Sequence, residues 1–88
     1  MNRFWIRFLA SLPLADTTVL IDGGRAEARR GVVHSRVLSA LADLAGANGI
    51  ETACVHARTA GKSLSLTLFG VPESLHQRFR NVWGANWK

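Results

Sequence analysis

The sequence predicts an α+β fold: a four-stranded antiparallel sheet with two helices on one face, in the order β-β-α-β-β-α, preceded by a short N-terminal helix. Three observations predict it. Four short segments have strand character, most of them alternating apolar with polar or small residues at a period of two. Two longer stretches carry apolar stripes at a period of 3.6. Glycine-containing turns separate these segments. The 88 residues fit a single small domain, read as an N-terminal helix and linker over 1–16 and an α+β unit over 17–88. With 48% hydrophobic and 19% charged residues, the chain has a globular composition and not that of a disordered one.

Residues 1–14 (MNRFWIRFLASLPL) fall short of the roughly 20 apolar residues that span a bilayer. A secretory signal has its outline here, with Arg3 at the start and small residues near Ala15. Arg7 interrupts the apolar stretch, however, and no small-x-small site follows. A helix orders the pattern better. Phe4, Trp5, Phe8, Leu9 and Leu12 share one face, Arg3, Arg7 and Ser11 the other, and Pro13 ends the run. A helix that is aromatic on one side and cationic on the other suits a membrane surface. The expected fate of its apolar face is packing, either on its own sheet or on a second copy of the chain.

Thr17 to Ile21 is β-branched and apolar, as strands are. Asp22-Gly23-Gly24 makes a hairpin turn. Arg25 to Arg30 then alternates, with Ala26 and Ala28 inward and Arg25, Glu27 and Arg29 outward. Ser35 to Ala45 forms a helix through Val37, Leu38, Leu41, Leu44 and Ala45, stopped by Gly46 and the Asn48-Gly49 pair. Ile50 to Arg58 places Ala53, Val55 and Ala57 on one face and Thr52, Cys54 and His56 on the other. After a turn centred on Gly61, Ser63 to Phe69 sets Leu64, Leu66 and Leu68 against Ser63, Ser65 and Thr67. Pro72 and Glu73 open the last helix, whose stripe is Leu75, Phe79, Val82 and Trp83, ended by Gly84. Gly31-Val32 and Gly70-Val71 precede the two helices alike, an internal repeat of hairpin plus helix.

Within this order, the stretches DGGRAEARRG, VLSALADLA, LSLTLFG and above all PESLHQRFRNVWG are familiar. The run from Asp22 to Gly84 resembles a small family of uncharacterised proteobacterial proteins, a domain of unknown function often preceded by a transmembrane segment. The resemblance implies the ββαββα fold and a bacterial origin, but no reaction. The short, Arg-interrupted segment ahead of the domain departs from the family's membrane segment.

Little in the chain suggests catalysis. Gly61-Lys62-Ser63 ends like a phosphate-binding loop, but His56 stands where that loop needs glycine, and a strand follows where it needs a helix. Cys54 and His56 share a strand face and, with His34 or His76, have ligand types that suit zinc. No second closely spaced pair accompanies them. The same two residues lack the orienting group and oxyanion site of a nucleophile–base pair. The six carboxylates are scattered singly. Cys54 is the only cysteine, so the chain makes no internal disulfide. The expectation is a non-enzymatic domain with no cofactor and no small-molecule substrate.

Binding surfaces are better represented. Eleven Lys and Arg against six Asp and Glu give a net charge of +5. Arg25, Arg29, Arg30 and Arg36 gather around the second strand, and Arg78 and Arg80 lie on the last helix, with Trp87 and Lys88 beyond. Such a surface suits anionic ligands and sequence-tolerant nucleic-acid binding. Against this, no stacking aromatics mark the strands and no helix-turn-helix is present. The apolar surplus of the first helix, an edge strand and Trp87 points first to protein binding or self-association. Nucleic-acid binding through the arginines and peripheral membrane attachment through Phe4, Trp5, Phe8, Leu9 and Leu12 are the alternatives. A cytoplasmic location, at the membrane's cytoplasmic side if attached, is the expectation.

Overall fold

The computed structural model describes residues 3–12, 15–61 and 63–86. Helix α1 (Arg3–Ala10) comes first, followed by strands β1 (Thr17–Asp22) and β2 (Arg25–Arg30) and helix α2 (Ser35–Ala47). Strands β3 (Thr52–Ala60) and β4 (Ser63–Phe69), a 3₁₀ turn (Glu73–Leu75) and helix α3 (His76–Asn86) complete the order. The hairpin turns keep β1 beside β2 and β3 beside β4, and the α2 crossover returns β3 against β1. The sheet order is therefore β2-β1-β3-β4, antiparallel throughout, with Val19 opposite Val55 at its centre. The predicted architecture is the one observed.

Parity along the strands decides what each face meets. Val19, Ile21, Ala53, Val55, Ala57 and Leu66 pack with Val37, Leu41, Leu44 and Ala45 of α2 and with Phe79 and Trp83 of α3. Each fully buried Val, Leu or Ile side chain in this layer contributes about 1.5–3 kcal/mol. The opposite face is also covered at its centre. Leu20 and Cys54 lie beneath Ile6 and Ala10 of α1, so β1 is buried on both sides from Thr18 to Ile21.

Several boundaries differ from expectation, each for a physical reason. Helix α2 passes through Gly46 and ends at Ala47. Gly49 takes φ +69°, and the N–H of Ile50 bonds the Ala45 carbonyl at 2.9 Å. This is a glycine-terminated Schellman end. It holds Ile50, so β3 begins at Thr52 and extends through the Ala60–Ser63 pair to Ala60. Helix α3 likewise runs through Gly84 to Asn86. An interior glycine costs about 1 kcal/mol relative to alanine, too little to stop a helix whose stripe is buried. Ala26 packs on the core, whereas Ala28 is exposed, next to a bulge at the sheet's edge.

The internal repeat holds at its glycines but not at the valines that follow them, since Val32 is exposed and Val71 is buried. Gly31 ends β2 and Gly70 ends β4, at φ +75° and +80°. Each lies under another segment. A Cβ on Gly31 would stand 2.8 Å from the Asp16 carbonyl oxygen, and one on Gly70 would stand 2.8 Å from the Thr52 carbonyl oxygen and 2.6 Å from Ile6 Cδ1. Gly70 thus admits both the left-handed turn and the seat of α1. Gly61→Ala, at φ +62° in open space, is expected to cost about 1–2 kcal/mol for the backbone alone. Gly70→Ala adds overpacking of about 1–3 kcal/mol. Urea denaturation of both variants checks the order; equal midpoints contradict it.

Candidate interaction surface

Helix α1 is held from below, by an ion pair from its middle and by a hydrogen bond near its C-terminal end. Ile6 and Ala10, one turn apart, are 2% and 4% exposed and lie on Leu20 and Cys54, with Phe69 alongside. The Arg7 guanidinium donates to Asp22 Oδ2 at 2.7 Å, and Asp22 Oδ1 also accepts from the Thr52 hydroxyl at 3.3 Å. Asp22, read from the sequence as a turn residue, therefore also ties α1 to the sheet. The pair is partly exposed and is worth about 0.2–1 kcal/mol, so it orients the helix more than it holds it.

The outward side of α1 is aromatic. Phe4, Trp5 and Phe8 are 73%, 54% and 49% exposed, and Trp5 stands edge-to-face with each phenyl ring at 6.0 Å. This corrects one of the two expected fates of the stripe of Phe4, Trp5, Phe8, Leu9 and Leu12, that it packs on the chain's own sheet. Leu9 and Leu12 are half-buried, but the helix packs through Ile6 and Ala10. The inward side is the one that fits the sheet: Ile6 Cδ1 fills the space left by Gly70, 2.6 Å from where a Cβ on that residue would stand. Pro13, expected to end the helix, lies outside the described residues.

Beneath the C-terminal end of α1, His56 is buried in a closed set of hydrogen bonds. The Leu9 carbonyl can only accept, so His56 Nε2 carries the proton and donates to it at 3.1 Å. Nδ1 then accepts from the Thr18 hydroxyl at 2.9 Å. Phe69 meets the ring edge-on at 5.7 Å. Burial lowers the His56 pKa, the Leu9 carbonyl opposes that shift, and the nearby Arg30 charge adds to it. Cys54 Sγ lies 3.3 Å from Nε2, so the two side chains do meet. The thiol is buried, however, and burial pushes its pKa up to about 12. It therefore stays protonated at neutral pH, unlike the exposed thiolate that nucleophilic chemistry uses.

The other residues singled out by the sequence are dispersed. His34 caps α2, accepting from the Arg36 N–H at 3.0 Å, and His76 pairs with the Val71 carbonyl at 2.9 Å. Neither approaches Cys54 as a fellow ligand, and no group of three His, Cys, Asp or Glu among the described residues is placed to hold a metal ion. Gly61 occupies a strand turn and Ser63 opens β4. Lys62, Trp87 and Lys88 lie outside the described residues.

Arg25, Arg29 and Arg30 are exposed on β2, with Arg29 paired to Glu27 at 3.2 Å. Arg36 is in the first turn of α2, and Arg78 and Arg80 are exposed on α3. Helix α2 covers β2, while α3 lies beside α2 and over β4. The six arginines therefore divide between opposite edges and layers. Arg25 and Arg30 stand opposite Asp22 and Thr18, on the sheet face that carries α1. A polar recess of about 240 Å³ opens on that same face, lined by Ala15, His56, Arg58, Ser65 and Thr67. Sequence reasoning missed this recess because Arg58 and Thr67 become neighbours only through the β3–β4 register. No helix among the described residues is long and apolar enough to cross a membrane. Compared with models of protein families, with curated proteins and with solved structures, the chain matches none.

The His56 geometry sets a pH dependence. The fold holds the ring neutral, while the unfolded chain takes up a proton near the ordinary pKa of 6.5. The contribution of His56 to stability is therefore complete above that pH and falls as the pH drops toward the lowered folded pKa. Urea denaturation from neutral to mildly acidic pH is expected to show this decline, and His56→Asn to weaken it. A decline of equal size in His56→Asn would assign it to other groups.

Proposed function

We propose that this protein is a non-enzymatic interaction domain that docks another protein through the outer face of α1. One observation carries the reading: Phe4, Trp5 and Phe8 stay largely exposed although α1 is already seated through Ile6 and Ala10. A helix whose inner face is engaged does not need three aromatic rings in water for its own fold. Rigid aromatic side chains at the centre of a patch are the groups that anchor interfaces most strongly. The rings are also pre-arranged edge-to-face, which reduces the ordering cost of binding.

A second reading rests on a different observation. Arg25 and Arg30 stand on the sheet face that carries α1, and Arg7 of α1 reaches that face at Asp22. Aromatic rings flanked by cations also suit the interface of an anionic membrane. The dispersal of the arginines over two layers weakens the nucleic-acid alternative, which needs a continuous basic track.

A photo-reactive side chain at position 8 is expected to crosslink a protein partner in the source cells, whereas one at Ser39, exposed on α2, is not. The triple variant Phe4→Ser/Trp5→Ser/Phe8→Ser is expected to lose the interaction while its stability changes by less than about 1.5 kcal/mol. Equal crosslinking from positions 8 and 39 contradicts the reading. Sedimentation with anionic vesicles that the triple variant abolishes, with no protein crosslink, selects the membrane instead.

A further inference from the structure

The two halves of the domain place β2 and β4 at equivalent positions, each the outer strand of its hairpin and each at an edge of the sheet. The two edges are built differently. Strand β2 carries Arg25, Glu27, Arg29 and Arg30 in its six residues, and a bulge interrupts its pairing with β1. Charge and bulges are the devices by which folded proteins prevent edge strands from pairing with other chains. Strand β4 has neither. Its seven residues, SLSLTLF, contain no charge, and all seven pair with β3 without a register shift. Leu64 and Leu68 remain half-exposed on the side facing α2 and α3.

We propose that β4 pairs antiparallel with β4 of a second copy, joining two four-stranded sheets into one of eight strands. The sequence of β4 favours its own kind. A two-fold axis perpendicular to the sheet keeps each face on its own side, so only residues of like parity stand opposite each other. Centred on Leu66, this sets Leu64 against the partner's Leu68 and Ser65 against the partner's Thr67. The half-exposed leucines then cover one another, and no charge faces a like charge along the seam. The same pairing through β2 would bring arginines together. In a chain of net charge +5, the uncharged β4 edge is the place where two copies approach without that cost. The α1 clusters of both copies would share one face of the joined sheet. The proposal does not depend on the reading of α1, because β4 and the aromatic rings are separate surfaces.

A seam of this length sits at the small end of stable interfaces, so association is expected in the micromolar range. Sedimentation velocity of the full chain from about 1 to 100 μM, the span that such an interface implies, should show the mass rising from one copy to two. Ser65 and Thr67 are exposed in the single copy, so charges there test the seam and its register together. Ser65→Lys with Thr67→Lys sets like charges opposite each other twice and is expected to raise the dissociation constant about tenfold or more. Ser65→Lys with Thr67→Glu sets opposite charges together at the same two places and is expected to restore association. This second variant also controls for folding. The proposal is overturned by a chain that stays monomeric throughout, by a double-lysine variant that associates like the parent, or by a lysine–glutamate variant that loses association as fully as the double-lysine one.

Discussion

Burial of β1 and β3 on both faces is the constraint on which the other features rest. One face of this central pair presents Val19, Ile21, Ala53, Val55 and Ala57 to the paired helices. The other presents Leu20 and Cys54, flanked by Thr18 and His56. A sheet with apolar residues on its second face needs a second cover, and α1 supplies it. Seating α1 there fixes the remaining geometry. Ile6 needs the space that Gly70 leaves, the Leu9 carbonyl fixes the His56 tautomer, and the aromatic residues face outward because Ile6 and Ala10 take the inner side.

The buried polar pair shows how the second face tolerates groups that an apolar core excludes. Among the described residues no buried side-chain nitrogen or oxygen lacks a hydrogen-bond partner. Thr18 and His56 satisfy each other across the central pair, and α1 closes the circuit from above. A half-satisfied network would cost more than an apolar one, so this circuit requires the helix to lie where it does.

Much of the fold was legible in the sequence. The alternation in Ser63–Phe69 and Arg25–Arg30 gave those strands their observed limits, and the parity read for Thr52 to Ala57 is the parity found. The glycines misled at Gly46 and Gly84, because burial of a helical stripe outweighs one unfavourable residue. The α1 surface was legible in composition but not in orientation. Seven apolar residues in nine positions cover too wide an arc to choose a face, and the choice depends on Gly70, more than 60 residues away. The arginines could be placed on elements, but which of them share a layer depends on the sheet order, a tertiary fact. The difference between the two edges stands in the letters of β2 and β4, yet it has meaning only once both are known to be edges.

The orientation of α1 is the point at which fold and surface meet, and comparing two truncations tests it directly. Ile6→Ala should cost about 2–5 kcal/mol in urea denaturation, as for other buried aliphatic residues. Phe4→Ala, removing a larger but exposed side chain, should cost less than about 0.5 kcal/mol. The reverse order would mean that the aromatic side is the seat of the helix, and the exposed cluster with the interaction surface built on it would not exist.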